Sequence, residues 1–163
     1  MRRTLQAIVS TLVIVLLSSC SCLFNAADDW STHEIAAEYP KLSLLEIHAG
    51  LEQWIPELFV QEAHIAVTHS NAETGSILAR GHWSEATIYA PKQKADIRFV
   101  LTIDIEEKQA HYRLDSLQAY SGKDERILPQ IADTRQFHLD AQIRFQSMVD
   151  LLSRALQAES ADW

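Results

Sequence analysis

The chain has 163 residues, of which 22 are Asp or Glu and 14 are Lys or Arg, so its formal net charge at pH 7 is −8. This length suffices for one domain with a hydrophobic core, and the acidic balance argues against nucleic acid or an anionic membrane surface as a partner. Both cysteines, Cys20 and Cys22, lie close to the N-terminus. The rest of the chain therefore has no disulfide, no thiolate metal site and no catalytic thiol.

The first residues have the layout of a bacterial secretion signal. Arg2 and Arg3 form a basic start, and residues 5–17 are almost entirely apolar. This apolar run is shorter than the roughly 20 residues that a membrane-spanning helix needs. The pattern therefore predicts a segment that is recognised for export and then removed.

The end of this segment, LSSC at residues 17–20, resembles the lipobox of bacterial lipoproteins. The resemblance implies that residues 1–19 are a cleaved signal peptide and that Cys20 receives the lipid. Several acyl chains on one residue anchor a protein durably, because each buried CH2 contributes about 0.8 kcal/mol. Two alternatives are an ordinary signal peptide, cut near Cys22 or Ala27, and a retained membrane anchor.

The residues after the acceptor predict a location and a tether. Ser21 rather than Asp follows the acceptor, which resembles lipoproteins sent to the outer membrane, so we expect a lipid-anchored protein on its periplasm-facing side. Residues 20–40 are mostly polar or small and are predicted to be a lipidated N-terminus and tether, with an edge strand in residues 30–39 closed by Pro40. Residues 41–159 are predicted to form a single domain.

The first element of this domain is a helix. Ser43 and Glu46 form a capping box, which marks a helix N-terminus. An apolar face follows at helical spacing: Leu44, Ile47, Leu51, Trp54, Ile55 and Leu58. Pro56 is expected to kink or end this helix.

Four strands and a second helix are predicted after it. The strand-like segments are residues 64–69, 76–83, 96–105 and 110–120, with turns at 71–75 and 106–109 and a loose stretch at 83–94. A long amphipathic helix follows Asp133, with an apolar face of Phe137, Ala141, Phe145, Met148, Leu152 and Leu156. The order helix, four strands, helix predicts an α+β fold. We expect an antiparallel sheet of four or five strands with both helices packed on one face.

Particular segments resemble a bacterial family of short exported domains. They are the aromatic-bearing helix at 47–59, the sequence GSILARG at 75–81, the strand at 97–105 and the sequence AHYRL at 110–114. The family has no assigned function and is described as having a TATA-binding-protein-like (TBP-like) fold. The resemblance covers about residues 42–120 and implies a sheet covered by helices. It implies no activity and no DNA binding, because a fold name describes topology.

Alternation along the strands separates a core face from an open face. The predicted core residues are Ile77, Ala79, Ile97, Phe99, Leu101, Ile103, Ile105, Tyr112 and Leu114. The open face is predicted to carry the candidate binding residues Arg80, His82, Arg98, Asp104, His111 and Arg113. Because Arg binds carboxylate and phosphate bidentately, this face suits an anionic ligand or an acidic partner. The alternative is an ordinary solvated face on which charges such as Arg113 and Asp104 pair across strands.

The seven histidines raise the question of a metal. His82 and His111 would form a site if their strands were neighbours, with Asp104 or Asp115 as a third ligand. His64 and His69 are predicted to point to opposite faces of one strand and so cannot share an ion. No metal-binding or catalytic motif supports a site, so we expect no metal, no cofactor and no enzyme activity.

The histidines on helical or tether segments, His33, His48 and His138, are predicted to have no special role. The preferred functional hypothesis is a non-enzymatic binding or accessory module for an envelope partner. The alternatives are a carrier of a small hydrophobic or anionic ligand between the helices and the sheet, and a metal-assisted hydrolase.

Overall fold

The alternating apolar and polar residues in the middle of the chain form a five-stranded antiparallel sheet. A computed structural model describes residues 33–59, 63–89, 92–121, 125–132 and 134–159. The strands are His33–Glu38 (β1), His64–Asn71 (β2), Ser76–Tyr89 (β3), Lys92–Glu106 (β4) and Gln109–Tyr120 (β5). The helices are Leu44–Leu58 (α1), Pro129–Ala132 (α2) and Arg135–Glu159 (α3). The strands lie side by side in the order β1-β5-β4-β3-β2.

This arrangement confirms the predicted α+β fold with helices on one face of the sheet. α1 contacts β2, β3 and β4, α3 contacts β1 and β3, and the two helices pack beside each other. The edge strand expected in residues 30–39 is present as β1 and pairs with β5. The sheet therefore begins within residues 20–40, the segment predicted to be the lipidated N-terminus and tether.

The helix-covered face carries the hydrophobic core. All nine predicted core residues of the strands are buried, and the apolar face of α3 is buried against them: Phe137, Ala141, Phe145, Met148, Leu152 and Leu156. Burying one large apolar side chain stabilises a fold by about 1.5–3 kcal/mol. This face is therefore the main source of stability.

The N-terminus of α1 is fixed by the predicted capping box. The backbone N–H of Ser43 donates to Glu46 Oε2 at 2.7 Å, and the N–H of Glu46 donates to Ser43 Oγ at 3.4 Å. The hydrogen bonds from the Ser43 backbone and side chain stabilise the carboxylate and lower the pKa of Glu46. At the other end, the helix continues past Pro56 and ends at Leu58.

The turn between β2 and β3 requires glycine. Gly75 has a φ of +66°, a region that L side chains rarely adopt, and a Cβ there would collide with the backbone oxygen of Ile105. The Gly75 carbonyl accepts a hydrogen bond from the Ile105 N–H at 2.7 Å. The turn therefore packs directly on the end of β4.

A bulge in β2 corrects the prediction for its histidines. Val67 pairs with Ala79 and His69 pairs with Leu78, so Thr68 is an extra residue in β2. Because Leu78 lies on the open face, its partner His69 lies there too, on the same face as His64. The prediction that the two histidines point to opposite faces is wrong, because simple alternation does not account for the extra residue.

The β3 and β4 strands are longer than predicted. They pair with each other from Ala86 with Ala95 to Tyr89 with Lys92, in the stretch expected to be loose. A register shift between Trp83 and Ala86 interrupts the alternation and hides this pairing in the sequence. Residues 90 and 91 lie outside the described residues.

A buried hydroxyl network joins the end of β1 to the sheet and to α3. The Tyr39 hydroxyl lies 2.7 Å from the Tyr112 hydroxyl and 2.8 Å from Ser153 Oγ, both hydrogen-bond distances. Burial, together with the neighbouring Tyr39, raises the pKa of Tyr112 well above its usual range. Each hydroxyl thus has a partner in an otherwise apolar region.

The predicted leader, residues 1–19, and the predicted lipid acceptor Cys20 lie outside the described residues. Within the part of the chain that is described, no helix is both long and apolar enough to cross a membrane.

Candidate functional site

All six candidate binding residues lie on the open face, away from the helices. His82 is half-buried and the other five are exposed: Arg80, Arg98, Asp104, His111 and Arg113. The sheet does not bring them into one site. It separates them into two groups, one on β3 and β4 and the other on β4 and β5, and each group lies beside a concavity of its own.

The first group, which we call the basic cluster, consists of His64, Arg80, His82 and Arg98. His64 on β2 pairs with His82 on β3, and His82 pairs with Arg98 on β4. Arg80 is two residues before His82 and therefore points to the same face. The cluster spans three adjacent strands, each about 4.8 Å from the next.

Ring contacts hold two parts of the basic cluster in place. The imidazole rings of His64 and His82 stack with their centroids 4.9 Å apart and an interplanar angle of 27°. The Arg98 guanidinium carbon lies 4.0 Å from the centroid of the Tyr120 ring, a cation–π contact. Both contacts restrict side-chain motion before any ligand arrives.

The charge of the basic cluster is only partly compensated. Arg98 Nη2 lies 3.5 Å from Glu125 Oε1, but the Glu125 side chain is 82% exposed, so this ion pair is weak. Arg80 forms no ion pair with any described residue. The cluster is thus a cationic patch on a chain whose net charge is −8.

The basic cluster lines an open concavity with a volume of about 460 Å³. The other lining residues are Pro56 at the end of α1, Ile65 and Ala66 on β2, and Gly81 on β3. Arginine and histidine side chains therefore lie next to a small apolar wall. This volume is within the range of about 300–1,000 Å³ that is typical of small-molecule sites.

The second group, which we call the mixed-charge group, consists of Asp104, His111 and Arg113. Asp104 pairs with His111 across β4 and β5, and Arg113 lies two residues further along β5. These residues and Glu34 of β1 line a second concavity of about 410 Å³. Positive and negative groups alternate here, so the group has no surplus of cations.

The expected pairing of Arg113 with Asp104 is wrong. Arg113 Nε donates to Asp115 Oδ2 on its own strand at 3.2 Å. In the register of the sheet, Arg113 lies opposite Thr102, and Asp104 lies opposite His111. The partner of a surface charge depends on this register, which the sequence alone did not give.

The proposed metal site is also contradicted. β4 separates the strands of His82 and His111. Their β4 partners, Arg98 and Asp104, are six residues apart, which is about 20 Å along a strand. The described residues contain no group of three or more His, Cys, Asp or Glu that could hold a metal ion. The hydrolase hypothesis therefore loses the site on which it depended.

Sequence reasoning missed three histidines. His64 completes the basic cluster, and only the register of β2 against β3 reveals it. His48 of α1 is buried and shares a hydrogen bond of 3.1 Å with the Ser70 hydroxyl. The polar composition around His33 gave no sign that this residue would be buried.

His33 lies at the start of β1 and faces the helices. It is 9% exposed, and its Nε2 has no hydrogen-bond partner among the described residues. Its ring lies 6.0 Å from that of His138 on α3. Burial, and secondarily the charge of a protonated His138, lower the pKa of His33.

The core between α1 and the sheet is closely packed at its central residues, and the carrier hypothesis stays a prediction. Ile47, Leu51 and Ile55 of α1 are fully buried, as are Leu101 and Ile103 beneath them. The described helices therefore lie directly on the sheet. Both concavities described above open on the other face or at its edge.

Comparison with known proteins agrees with this fold. A structure described as that of a DUF4468 family protein from Bacteroides ovatus has a TM-score of 0.56 at 10% identity, and the match covers 80% of this chain and 89% of that chain. A TBP-like protein from Parabacteroides distasonis has a TM-score of 0.60 at 13% identity, covering 81% of this chain and 96% of that chain. At these identities the likeness shows the fold alone. No curated protein matches the chain.

The sequence match covers residues 32–120, from the start of β1 to the end of β5. It confirms the resemblance expected for residues 42–120 and adds β1 to it. The matching family is described as a domain of unknown function (DUF4468) with a TBP-like fold. The chain therefore belongs to the DUF4468 family.

Proposed function

We propose that the protein is a non-enzymatic binding module of the bacterial envelope that recognises its partner through the open face of the sheet. The main support for the proposal is the position of the basic cluster on the open face. Its arginine and histidine side chains gather on three adjacent strands of an exposed sheet face in a chain of net charge −8. The non-enzymatic part of the proposal rests on the sequence, which contains none of the common catalytic motifs.

Electrostatics supports this choice of face. Arginine guanidiniums present a rigid fork of donors that matches carboxylates and phosphates. An acidic protein that concentrates arginines in one place attracts anionic groups there and repels them elsewhere. The mixed-charge group extends the same face towards β1, where it adds polar contacts without a surplus of positive charge.

The proposal also includes an anchor. A lipid on Cys20 would hold the protein on the periplasmic side of the outer membrane, with the domain beyond a short linker. The basic start, the short apolar run and the LSSC ending support this part of the proposal. Mass spectrometry of the N-terminal peptide is expected to show acylation at Cys20, and Cys20→Ala is expected to release the protein from the membrane fraction.

Charge reversal in intact cells tests the binding face. We expect the double variant Arg80→Glu and Arg98→Glu to abolish chemical crosslinking to an envelope partner. Both substitutions introduce negative charges that repel the anionic groups of the partner. Arg113→Glu tests the mixed-charge group in the same way. Both arginines of the cluster are exposed, so circular dichroism of the purified variants should show an intact fold.

The control is Lys41→Glu, a single charge reversal at an exposed residue in the turn before α1, which is compared with Arg80→Glu and Arg98→Glu made one at a time as well as together. This variant should retain wild-type crosslinking. Unchanged crosslinking in the Arg80 and Arg98 double variant would count against the open face as the binding surface.

A further inference from the structure

The geometry points to a more specific ligand for the basic cluster: we infer that the concavity binds the phosphate group of a small phosphate monoester. This inference rests on the proposed function, because it assigns a ligand to part of the same open face. The phosphate lies among Arg80, His82 and Arg98, and the organic part lies against Ala66 on the same face of the sheet.

The number of donors favours phosphate over carboxylate. The basic cluster offers two guanidiniums and two imidazoles within one concavity. One bidentate guanidinium already satisfies the two oxygens of a carboxylate. A phosphate monoester has three terminal oxygens and a charge of about −1.5 to −2 at pH 7, so it can use donors from several side chains.

The donors come from a prearranged surface. Arg98 lies 4.0 Å from the Tyr120 ring centroid, and the His64 and His82 rings are stacked, so these groups lose little freedom on binding. The Arg98–Glu125 ion pair is solvent-exposed, so a dianion can displace this carboxylate at little cost.

The shape of the concavity favours a small molecule over a free ion or a flat protein surface. Ala66 is exposed on the open face beside Arg80 and forms an apolar wall next to the cluster, and Pro56 continues the lining at the edge of the sheet. A free phosphate would leave this wall without a contact. An apolar or planar substituent would cover it, which predicts a contribution from the organic part of the ligand.

The test is a titration of the full-length protein, purified in detergent, with phenyl phosphate, inorganic phosphate and benzoate. Calorimetry gives each affinity, and NMR follows the imidazole signals of His64, His82 and His111. We expect phenyl phosphate to bind more tightly than either other probe, by about tenfold or more over benzoate. We expect saturable shifts at His64 and His82 and none at His111.

Substitutions on the open face assign the site. Arg98→Gln is expected to weaken phenyl phosphate binding by about tenfold or more, since it removes a charge-assisted hydrogen bond. Arg80→Gln should act in the same direction. Arg154→Gln is the matched control, since it removes an exposed arginine of α3, on the helix-covered side of the sheet, and should leave the affinity unchanged.

Three results would overturn the inference. They are the absence of saturable shifts at millimolar phenyl phosphate, equal affinity for benzoate, and equal weakening by Arg154→Gln. If inorganic phosphate bound as tightly as phenyl phosphate, the contact with the apolar wall would be wrong. Crosslinking in cells tests the proposed function separately. If crosslinking depended on Arg80 and Arg98 but the titration gave one of these results, the open face would still be the binding surface and phosphate would not be its ligand.

Discussion

The two faces of the sheet differ in chemistry although the same strands build both. On β4, Leu101 and Ile103 are fully buried beneath the helices, whereas Arg98 and Asp104 on the other face are exposed. The covered face is filled with apolar side chains. The open face carries the charges and the concavities. Alternation along one strand therefore separates the residues that stabilise the fold from those available for recognition.

The largest difference between the faces is expected in the free energy of unfolding, when neighbouring residues of β4 are replaced by alanine. Leu101→Ala removes a fully buried side chain and is expected to lower the free energy of unfolding by about 2–5 kcal/mol. Thr102→Ala, one residue further along on the open face, should change it by no more than about 0.5 kcal/mol. Urea denaturation measures both. Similar losses in the two variants would mean that the open face is buried in solution.

A smaller difference in the free energy of unfolding is expected when the two tyrosines of β5 are replaced by phenylalanine. Tyr112→Phe on the covered face removes a buried hydroxyl bonded to Tyr39, and should cost about 1 kcal/mol of unfolding free energy. The loss is modest because Tyr39 keeps its bond to Ser153. Tyr120→Phe on the open face removes an exposed hydrogen bond to Gln118 and serves as the control, with an expected change close to zero. A larger cost at Tyr120 than at Tyr112 would contradict the role of the buried network.

The smallest expected effect is the contribution of His33 to the pH dependence of the free energy of unfolding. The pKa of His33 is lower in the folded state than in the unfolded chain, so the folded protein binds fewer protons. The free energy of unfolding should therefore fall as the pH drops below about 6.5, and the loss should level off below the folded pKa. The His33→Phe variant removes this contribution. Its stability should differ less than that of the wild type between about pH 7.5 and 5.5.

The open face again supplies the control. His111→Phe replaces an imidazole that is exposed to water in the folded protein, so the pH dependence of the wild type should persist. Denaturation curves at both pH values compare the two variants with the wild type. If His33→Phe kept the full pH dependence, other groups would have to account for it.

The sequence predicted those features that depend on local pattern. The capping box at Ser43 and Glu46, the alternation in residues 97–105 and the helical spacing from Phe137 to Leu156 each act within one element. Each is confirmed as predicted. The division between the two faces follows from these patterns, and the six candidate binding residues lie on the predicted face.

What the sequence did not predict depends on how elements are paired. The extra residue Thr68 places His69 on the face of His64, and this shift is visible only in the pairing of β2 with β3. Register also determines that Arg113 lies opposite Thr102 instead of Asp104, and strand order and register together place His82 far from His111. The burial of His33 depends on α3, which lies a hundred residues away in the chain. Such contacts between distant segments have no local signal.

The network of Tyr39, Tyr112 and Ser153 has a mechanical consequence. β1 is the first strand in the described part of the chain, so a pull on the proposed anchor at Cys20 would load it. β1 is only six residues long and forms an edge, so backbone hydrogen bonds join it to β5 alone. Tyr39 follows directly after this strand and is bonded to both the sheet and α3. A force entering at His33 would therefore load β1 first, and unfolding would pass beyond this strand only when the bonds of Tyr39 to Tyr112 and Ser153 break.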